Sequence, residues 1–156
     1  MYEDIKFTGQ EFNIILQARA ILSKYAASEK QYFSDTSRSK EFTRIQLEGY
    51  QREVFMVIFL NHDLSLITHD IMFMGTLNSC YVEPVEIVRR ALVLNASSVI
   101  LAHNHPSGHC EPSDDDLTLT KITQEKLNLF NVWLVDHIIV GKTVFSFLAN
   151  SMLSDK

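Results

Sequence analysis

The residues from Ile100 to Asp116 place imidazoles and a carboxylate at a spacing that suits metal chemistry: Ile-Leu-Ala-His-Asn-His-Pro-Ser-Gly-His-Cys-Glu-Pro-Ser-Asp-Asp-Asp. Ser97 to Ala102 is a short, mostly apolar run of the kind that forms a buried strand, so His103 and His105, two positions apart, project from one face. Pro106, Ser107 and Gly108 stop the strand. Pro112 and Ser113, followed by acidic residues, open a helix with Ser113 as its N-cap. Asp116 lies three residues into that helix, where its carboxylate can swing back toward the histidines. Two imidazoles and a carboxylate around one point, with a fourth position free, are the composition of a catalytic zinc site. Taken singly, a strand-end histidine is a hydrogen-bonded structural residue and first-turn acids answer the helix dipole. Taken together, in this register, they favour Zn²⁺. Cys110 and His109 read as loop residues, His62 as a turn residue and His69 as a surface-facing strand position.

The elements that must hold these residues are legible along the chain. Thr8-Gly-Gln-Glu11 has capping-box spacing, and Phe12, Ile15, Ala18, Leu22 and Tyr25 follow at helical intervals, which predicts a first helix from Gly9 to Ala27 packed on one face. Ser28 to Lys40 is polar and reads as a connecting segment into a shorter helix around Phe42, Ile45 and Leu47. Val54 to Leu60 is a continuous apolar run suited to a central strand buried on both faces. Asn61-His62-Asp63 is turn chemistry, with a returning strand from Leu64 to Met74. Pro84 fits the first position of a helix whose apolar face is Ile87, Val88, Ala91 and Leu92. Val132 to Val140 is a strand, Gly141-Lys142 a two-residue turn, and Thr143 to Leu148 its partner. This order favours an α/β fold with a mixed sheet flanked by helices.

A chain of 156 residues with 46% apolar content holds one full hydrophobic core. The formal net charge of −5 is the wrong sign for a chain whose main task is gripping phosphate backbones. Cys80 and Cys110 are isolated, without Cys-x-x-Cys spacing, and no signal peptide or apolar run long enough for a membrane span is present, which predicts a reduced, cytoplasmic setting.

His103-x-His105-Pro106, six residues, then Ser113-x-x-Asp116 resembles the JAMM (MPN-plus) metalloprotease signature. The fuller wording, His-Asn-His-Pro-Ser-Gly preceded by Gly75-Thr76-Leu77-Asn78 and Pro84-x-Glu86 and followed by Asp136-His137-Ile138-Ile139, is similar to the RadC family, across roughly Glu53 to Leu148. The resemblance implies the MPN (JAB) fold, a three-layer relative of the cytidine deaminase architecture. It also implies a division into residues 1–40, a helical extension packed on the core, and residues 41–156, the RadC-type MPN/JAMM domain. In longer relatives a helix-hairpin-helix region precedes that domain; the residues before Glu53 carry no such motif, which predicts no strong intrinsic DNA binding.

A zinc site of this kind needs a carboxylate to move protons, and Glu53, Glu83, Glu86 and Glu111 are the candidates. The JAMM resemblance implies Glu53, which opens an apolar strand remote from the histidines. It also gives Ser113 a second role, as a donor that steadies a tetrahedral oxyanion. Glu86, in the first turn after Pro84, has a sufficient structural or binding role there. Asn104 alternates to the other strand face and is expected to tie down the loop. Asp136 and His137 are adjacent in a strand and face opposite ways, so only one can orient a ligand imidazole. The expected function is zinc-dependent hydrolysis of a peptide or isopeptide bond in a protein or peptide substrate; the alternative is a RadC-like binding scaffold associated with DNA processing. A nucleobase deaminase lacks its His-x-Glu and Pro-Cys-x-x-Cys ligands here, and a zincin its His-Glu-x-x-His.

Overall fold

The computed structural model describes residues 8–26, 30–75 and 81–153. Its elements are α1 (Gly9–Ala26), α2 (Thr36–Leu47), β1 (Val54–Leu60), β2 (Leu66–Met74), α3 (Pro84–Val93), β3 (Ser98–Asn104), α4 (Asp114–Asn128), β4 (Trp133–Val140) and β5 (Val144–Ser146). β1 is apolar at every position and buried at every position, as a strand covered on both faces must be. It pairs antiparallel with β2 on one side and with β3 on the other. β3 runs parallel to β4, joined to it through α4, and β4 pairs antiparallel with β5, so the sheet order is β2-β1-β3-β4-β5.

Strand alternation divides the apolar side chains between two cores. Phe55, Val57, Phe59, Val99 and Leu101 pack with Ile87, Val88 and Ala91 of α3 and Leu127 of α4. Val54, Met56, Ile58, Ile100, Ala102 and Ile138 pack on the other face with Leu47 of α2 and Phe33. The result is the expected three-layer mixed α/β arrangement. The β3–β4 pairing slips once: Val99 faces Leu134 but Ile100 faces Asp136, which leaves Val135 as an extra residue. A bulge of this kind re-aims the side chains around it. Leu134 packs in the α3/α4 core while Val135 packs on the α2 side, and beyond the bulge His137 turns toward α4.

Several local expectations need correction. The segment expected to connect as far as Lys40 becomes helical at Thr36, where the Asp35 side chain caps the Ser37 amide at 2.9 Å. The buried stripe of α2 is Ser39, Thr43 and Leu47, at a spacing of four but carried by hydroxyl residues, so hydropathy understates it, and Ile45 is exposed. On α1 the inward positions are Phe12, Ile15 and Arg19, whereas Ala18 and Leu22 face out. The reason is Arg19, whose Nε donates to the Ile45 carbonyl at 2.8 Å and whose Nη2 donates to the Glu48 carbonyl, closing the C-terminus of α2. Leu92 of α3 is 47% exposed, at the flank of the buried Ile87, Val88 and Ala91. Leu64 has a φ of 62°, so it belongs to the turn and β2 starts later. Val140 pairs with Val144, which makes the last turn three residues long. The Thr8 and Glu11 capping box forms as expected. Tyr25 and Ala27 on the first helix, Thr76, Leu77 and Asn78 of the family wording, and Cys80 fall outside what is described.

Candidate metal centre

His103, wholly buried, is the last but one residue of β3, and the chain continues its pairing one residue past Asn104, with the His105 amide donating to the Val140 carbonyl at 2.8 Å. The following loop then folds back. Gly108, at a φ of 84°, donates its amide to the His105 carbonyl at 2.9 Å, and its own carbonyl accepts from the Lys142 amide at 2.8 Å. A Cβ on Gly141 would stand 2.5 Å from that Gly108 carbonyl oxygen, so only glycine lets the β4–β5 turn clamp the loop. The clamp brings the His109 carbonyl to 2.8 Å from His105 Nδ1. His109 is indeed a loop residue, but its backbone has a task that its side-chain type does not announce.

α4 supplies the carboxylate. Ser113 is its N-cap and forms a capping box: Ser113 Oγ accepts from the Asp116 amide at 3.1 Å, and the Ser113 amide donates to Asp116 Oδ2 at 2.8 Å. The Ser113 hydroxyl also lies 2.7 Å from Asp116 Oδ2, to which it donates. The capping residue thus aims the putting-back of the third side chain toward β3: Asp116 Oδ1 is 3.1 Å from His103 Nε2, and Oδ2 is 3.4 Å from His105 Nε2.

The two Nε2 atoms are 3.0 Å apart, and ligand atoms from all three residues lie within 4.8 Å of one another. A tetrahedral ion with bonds of about 2.0–2.1 Å has ligand-to-ligand edges of about 3.4 Å, so His103, His105 and Asp116 fit a small divalent metal. The chemistry of the donor set agrees. His105 Nδ1 faces a carbonyl oxygen, so Nδ1 carries the hydrogen and neutral His105 presents a bare lone pair at Nε2. A lone pair beside a carboxylate repels it unless a cation stands between them. A proton is the competitor: hydrogen bonding to Asp116 raises the His105 proton affinity above its ordinary value, against burial. Burial pushes the Asp116 carboxyl up, but His103, His105 and Ser113 outweigh it and hold the group far below the usual carboxylate range.

The other expected residues sort by sheet face. Glu53, half-buried at the start of β1, has its proton affinity raised by burial, lowered by His103 and His105 and raised again by Asp116, so its carboxyl lies in the field of all three. His137 is wholly buried, with Nε2 at 2.9 Å from His103 Nδ1 and Nδ1 at 2.6 Å from Thr120 Oγ1. Burial, then the neighbouring His103, lowers its proton affinity and keeps it neutral. Asp136 faces the opposite way, accepting from Ser146 Oγ at 2.6 Å and from the His137 and Leu148 amides at 2.7 and 2.9 Å. Asn104 also faces away, and ties residues 50–54 to β3: its Oδ1 accepts from the Val54 amide at 2.8 Å and its Nδ2 donates to the Tyr50 and Arg52 carbonyls. Glu86 pairs with Arg89 on the surface of α3. Cys110 lies 2.8 Å from Thr143 Oγ1 in the clamped loop, and His69 is half-buried against the Phe42 ring rather than surface-facing. Thr120 is the residue that sequence reasoning passed over; its only signal is its place one turn after Asp116 on the same helix face.

Residues 33–152 match the family model of the RadC-like JAB domain. Among known proteins the chain is 36% identical to UPF0758 protein YfjY and 38% identical to UPF0758 protein YkfG, both of Escherichia coli strain K12. These alignments cover 89% of this chain and 88% of YfjY, and 95% of this chain and 94% of YkfG. It is 45% identical to UPF0758 protein plu4865 of Photorhabdus laumondii, over 81% of this chain and 57% of that protein. With the mixed five-stranded sheet and the His103, His105 and Asp116 cluster already in place, these matches assign the chain to a family: it belongs to the RadC-like JAB domain proteins.

Proposed function

We propose that this protein is a zinc-dependent hydrolase of peptide or isopeptide bonds, with His103, His105 and Asp116 as ligands and Glu53 as the group that moves protons. The observation that carries this reading is the convergence of His103, His105 and Asp116, with ligand atoms within 4.8 Å of one another, beside the half-buried Glu53, two residues before the Phe55 that pairs with His103. Zinc, when bound, supplies an acidified water, with a pKa near ~7, and polarisation of the substrate carbonyl. The chain's own residues do the rest. Glu53 takes a proton from the water at its carboxylate oxygen as the water oxygen bonds to the carbonyl carbon, then delivers that proton to the amine nitrogen as the carbon–nitrogen bond breaks. Ser113 holds Asp116 in place, and acts on a developing oxyanion only if its hydroxyl turns away from Asp116.

The substrate class is a protein or peptide, in the cytoplasm. A net charge of −5 favours weak, salt-sensitive contact with duplex DNA at most, and no helix among the described residues is long and apolar enough to cross a membrane. A pure binding scaffold has no use for lone pairs gathered around an open coordination position. The test incubates zinc-loaded protein with a peptide library that includes lysine-linked isopeptides and reads new termini by mass spectrometry. Cleavage by the wild type, lost on chelation, is expected; Glu53→Gln keeps one zinc and loses about 10²–10⁴ in rate. Zinc-loaded wild type that cleaves nothing, or Glu53→Gln at the wild-type rate, overturns the reading.

A further inference from the structure

We propose that Thr120 and His137 are positioning residues that set the tautomer of His103 and so keep its Nε2 free to take a metal; only the metal readout of this proposal rests on the function proposed above. Thr120 Oγ1 lies 2.6 Å from the Asp116 backbone carbonyl and 2.6 Å from His137 Nδ1, and His137 Nε2 lies 2.9 Å from His103 Nδ1. These distances alone leave the hydrogens unplaced. The carbonyl places them, because an oxygen without a hydrogen cannot donate. At 2.6 Å the Thr120 hydroxyl hydrogen must point at the Asp116 carbonyl, since two bare oxygens that close repel. Thr120 Oγ1 then accepts, which puts a hydrogen on His137 Nδ1. Neutral His137 therefore has a lone pair at Nε2, which accepts from His103 Nδ1–H. His103 is left with its lone pair at Nε2, facing Asp116 Oδ1 at 3.1 Å.

The chain of bonds starts at the Asp116 backbone and ends at His103, whose bare Nε2 faces the Asp116 side chain, so it links α4, β4 and β3. His103, His137 and Thr120 are all buried, so water is not at hand to replace a missing partner. The ring planes are fixed as well: Phe55 stacks on His103 with centroids 5.8 Å apart, and Phe147 stacks on His137 at 4.8 Å. The reversed circuit would put a hydrogen on His103 Nε2, where it donates to Asp116 Oδ1 and blocks ligation. It would also strip the hydrogen from between Thr120 Oγ1 and the Asp116 carbonyl. One helix hydroxyl therefore selects, through a histidine on β4, the ligating tautomer of a histidine on β3.

The test reads nitrogen-15 shifts of the histidine rings in metal-free protein, and zinc affinity by chelator competition, for wild type, Thr120→Val and Thr120→Ser. The wild type is expected to hold His103 as the Nδ1–H tautomer before any metal is added. Thr120→Val keeps the side-chain volume but removes the hydroxyl; His103 should shift toward Nε2–H and zinc affinity should fall about 10–100-fold. Thr120→Ser should restore both, which a loss of packing alone would not do. If wild type takes up no zinc, the metal function fails while the tautomer shift still decides this proposal. Metal-free wild type with His103 as Nε2–H, a reading that needs no variant to fold, overturns it. So does Thr120→Val with unchanged tautomer and a zinc affinity within twofold of wild type.

Discussion

β3 and β4 each bury a polar pair of adjacent residues, His103-Asn104 and Asp136-His137, and the two faces of the sheet use them differently. On the α2 face the polar groups of Asn104 and Asp136 close on hydrogen bonds to backbone groups and to Ser146. Nothing is left over, and these residues fasten the segment before β1 and the chain after β5. On the α4 face, His103 and His137 satisfy each other on one side, while His103 Nε2 converges with His105 and Asp116 on the other. Satisfied buried polar groups hold a fold together. A set that gathers two imidazoles and a carboxylate within 4.8 Å can hold a metal ion.

The comparison breaks most visibly if the wrong face controls the metal. His105→Ala, at a half-buried position, removes one of three ligands and should abolish stoichiometric zinc in protein reloaded after chelation, measured by elemental analysis. Asp136→Asn, on the opposite face, should leave zinc at one per chain. Zinc retained by His105→Ala, or lost from a folded Asp136→Asn protein, would mean that the faces have been assigned the wrong way round.

The next effect is on stability and should show the reverse preference. Asn104→Ala leaves the buried Val54 amide and the Tyr50 and Arg52 carbonyls without their partner, a loss of about 1–3 kcal/mol. Urea unfolding of metal-free protein measures it. The variant should still bind zinc once folded, because neither ligand imidazole uses Asn104. A destabilisation within error of zero would show that water replaces those bonds and that the α2 face is less closed than its geometry implies.

The legible part of the centre was the part written contiguously. His103, His105, Ser113 and Asp116 fall within one strand, loop and helix start, so alternation and N-cap chemistry bring them together without knowledge of the sheet order. Glu53 is different: β1 lies beside β3 through long-range pairing, with Phe55 opposite His103, and only family resemblance pointed to it before the register was known. Alternation separated Asp136 from His137, but choosing which one meets His103 required the extra residue at Val135, which no local pattern reveals. Thr120 and Ser39 of the α2 stripe were opaque for a shared reason. Hydroxyl residues bury on helices when a carbonyl one turn back takes their hydrogen, and hydropathy does not count that bond. The layers themselves were legible because β1 is apolar throughout, β3 carries the apolar run Val99 to Ala102, and Pro84 and Ser113 mark the starts of the helices between strands.

The finest contrast is between two aspartates of the same sheet neighbourhood, and it has a sign. Asp136 has its proton affinity raised by burial, which exceeds the opposing effect of the Ser146 hydroxyl and the Leu148 and His137 amides. Asp116 is also pushed up by burial, but His103, His105 and Ser113 bring it far below its ordinary value. In metal-free protein the folded state therefore binds more protons than the unfolded state at Asp136, and fewer at Asp116. The contribution of Asp136 is fully present below the unfolded value of about 3.9 and declines as pH rises through its higher folded value. The contribution of Asp116 is present above about 3.9 and is lost as pH falls toward its much lower folded value. Subtracting the unfolding free energies of Asp136→Asn and Asp116→Asn from that of wild type, between about pH 3 and pH 5.5, should give differences of opposite slope. Neither slope can exceed about 1.4 kcal/mol per pH unit for a single proton. The Asp116 difference should grow with pH and the Asp136 difference should shrink. Parallel slopes would mean that the two carboxylates share one environment, and the division of the sheet into a fastening face and a ligand face would not hold at the level of charge.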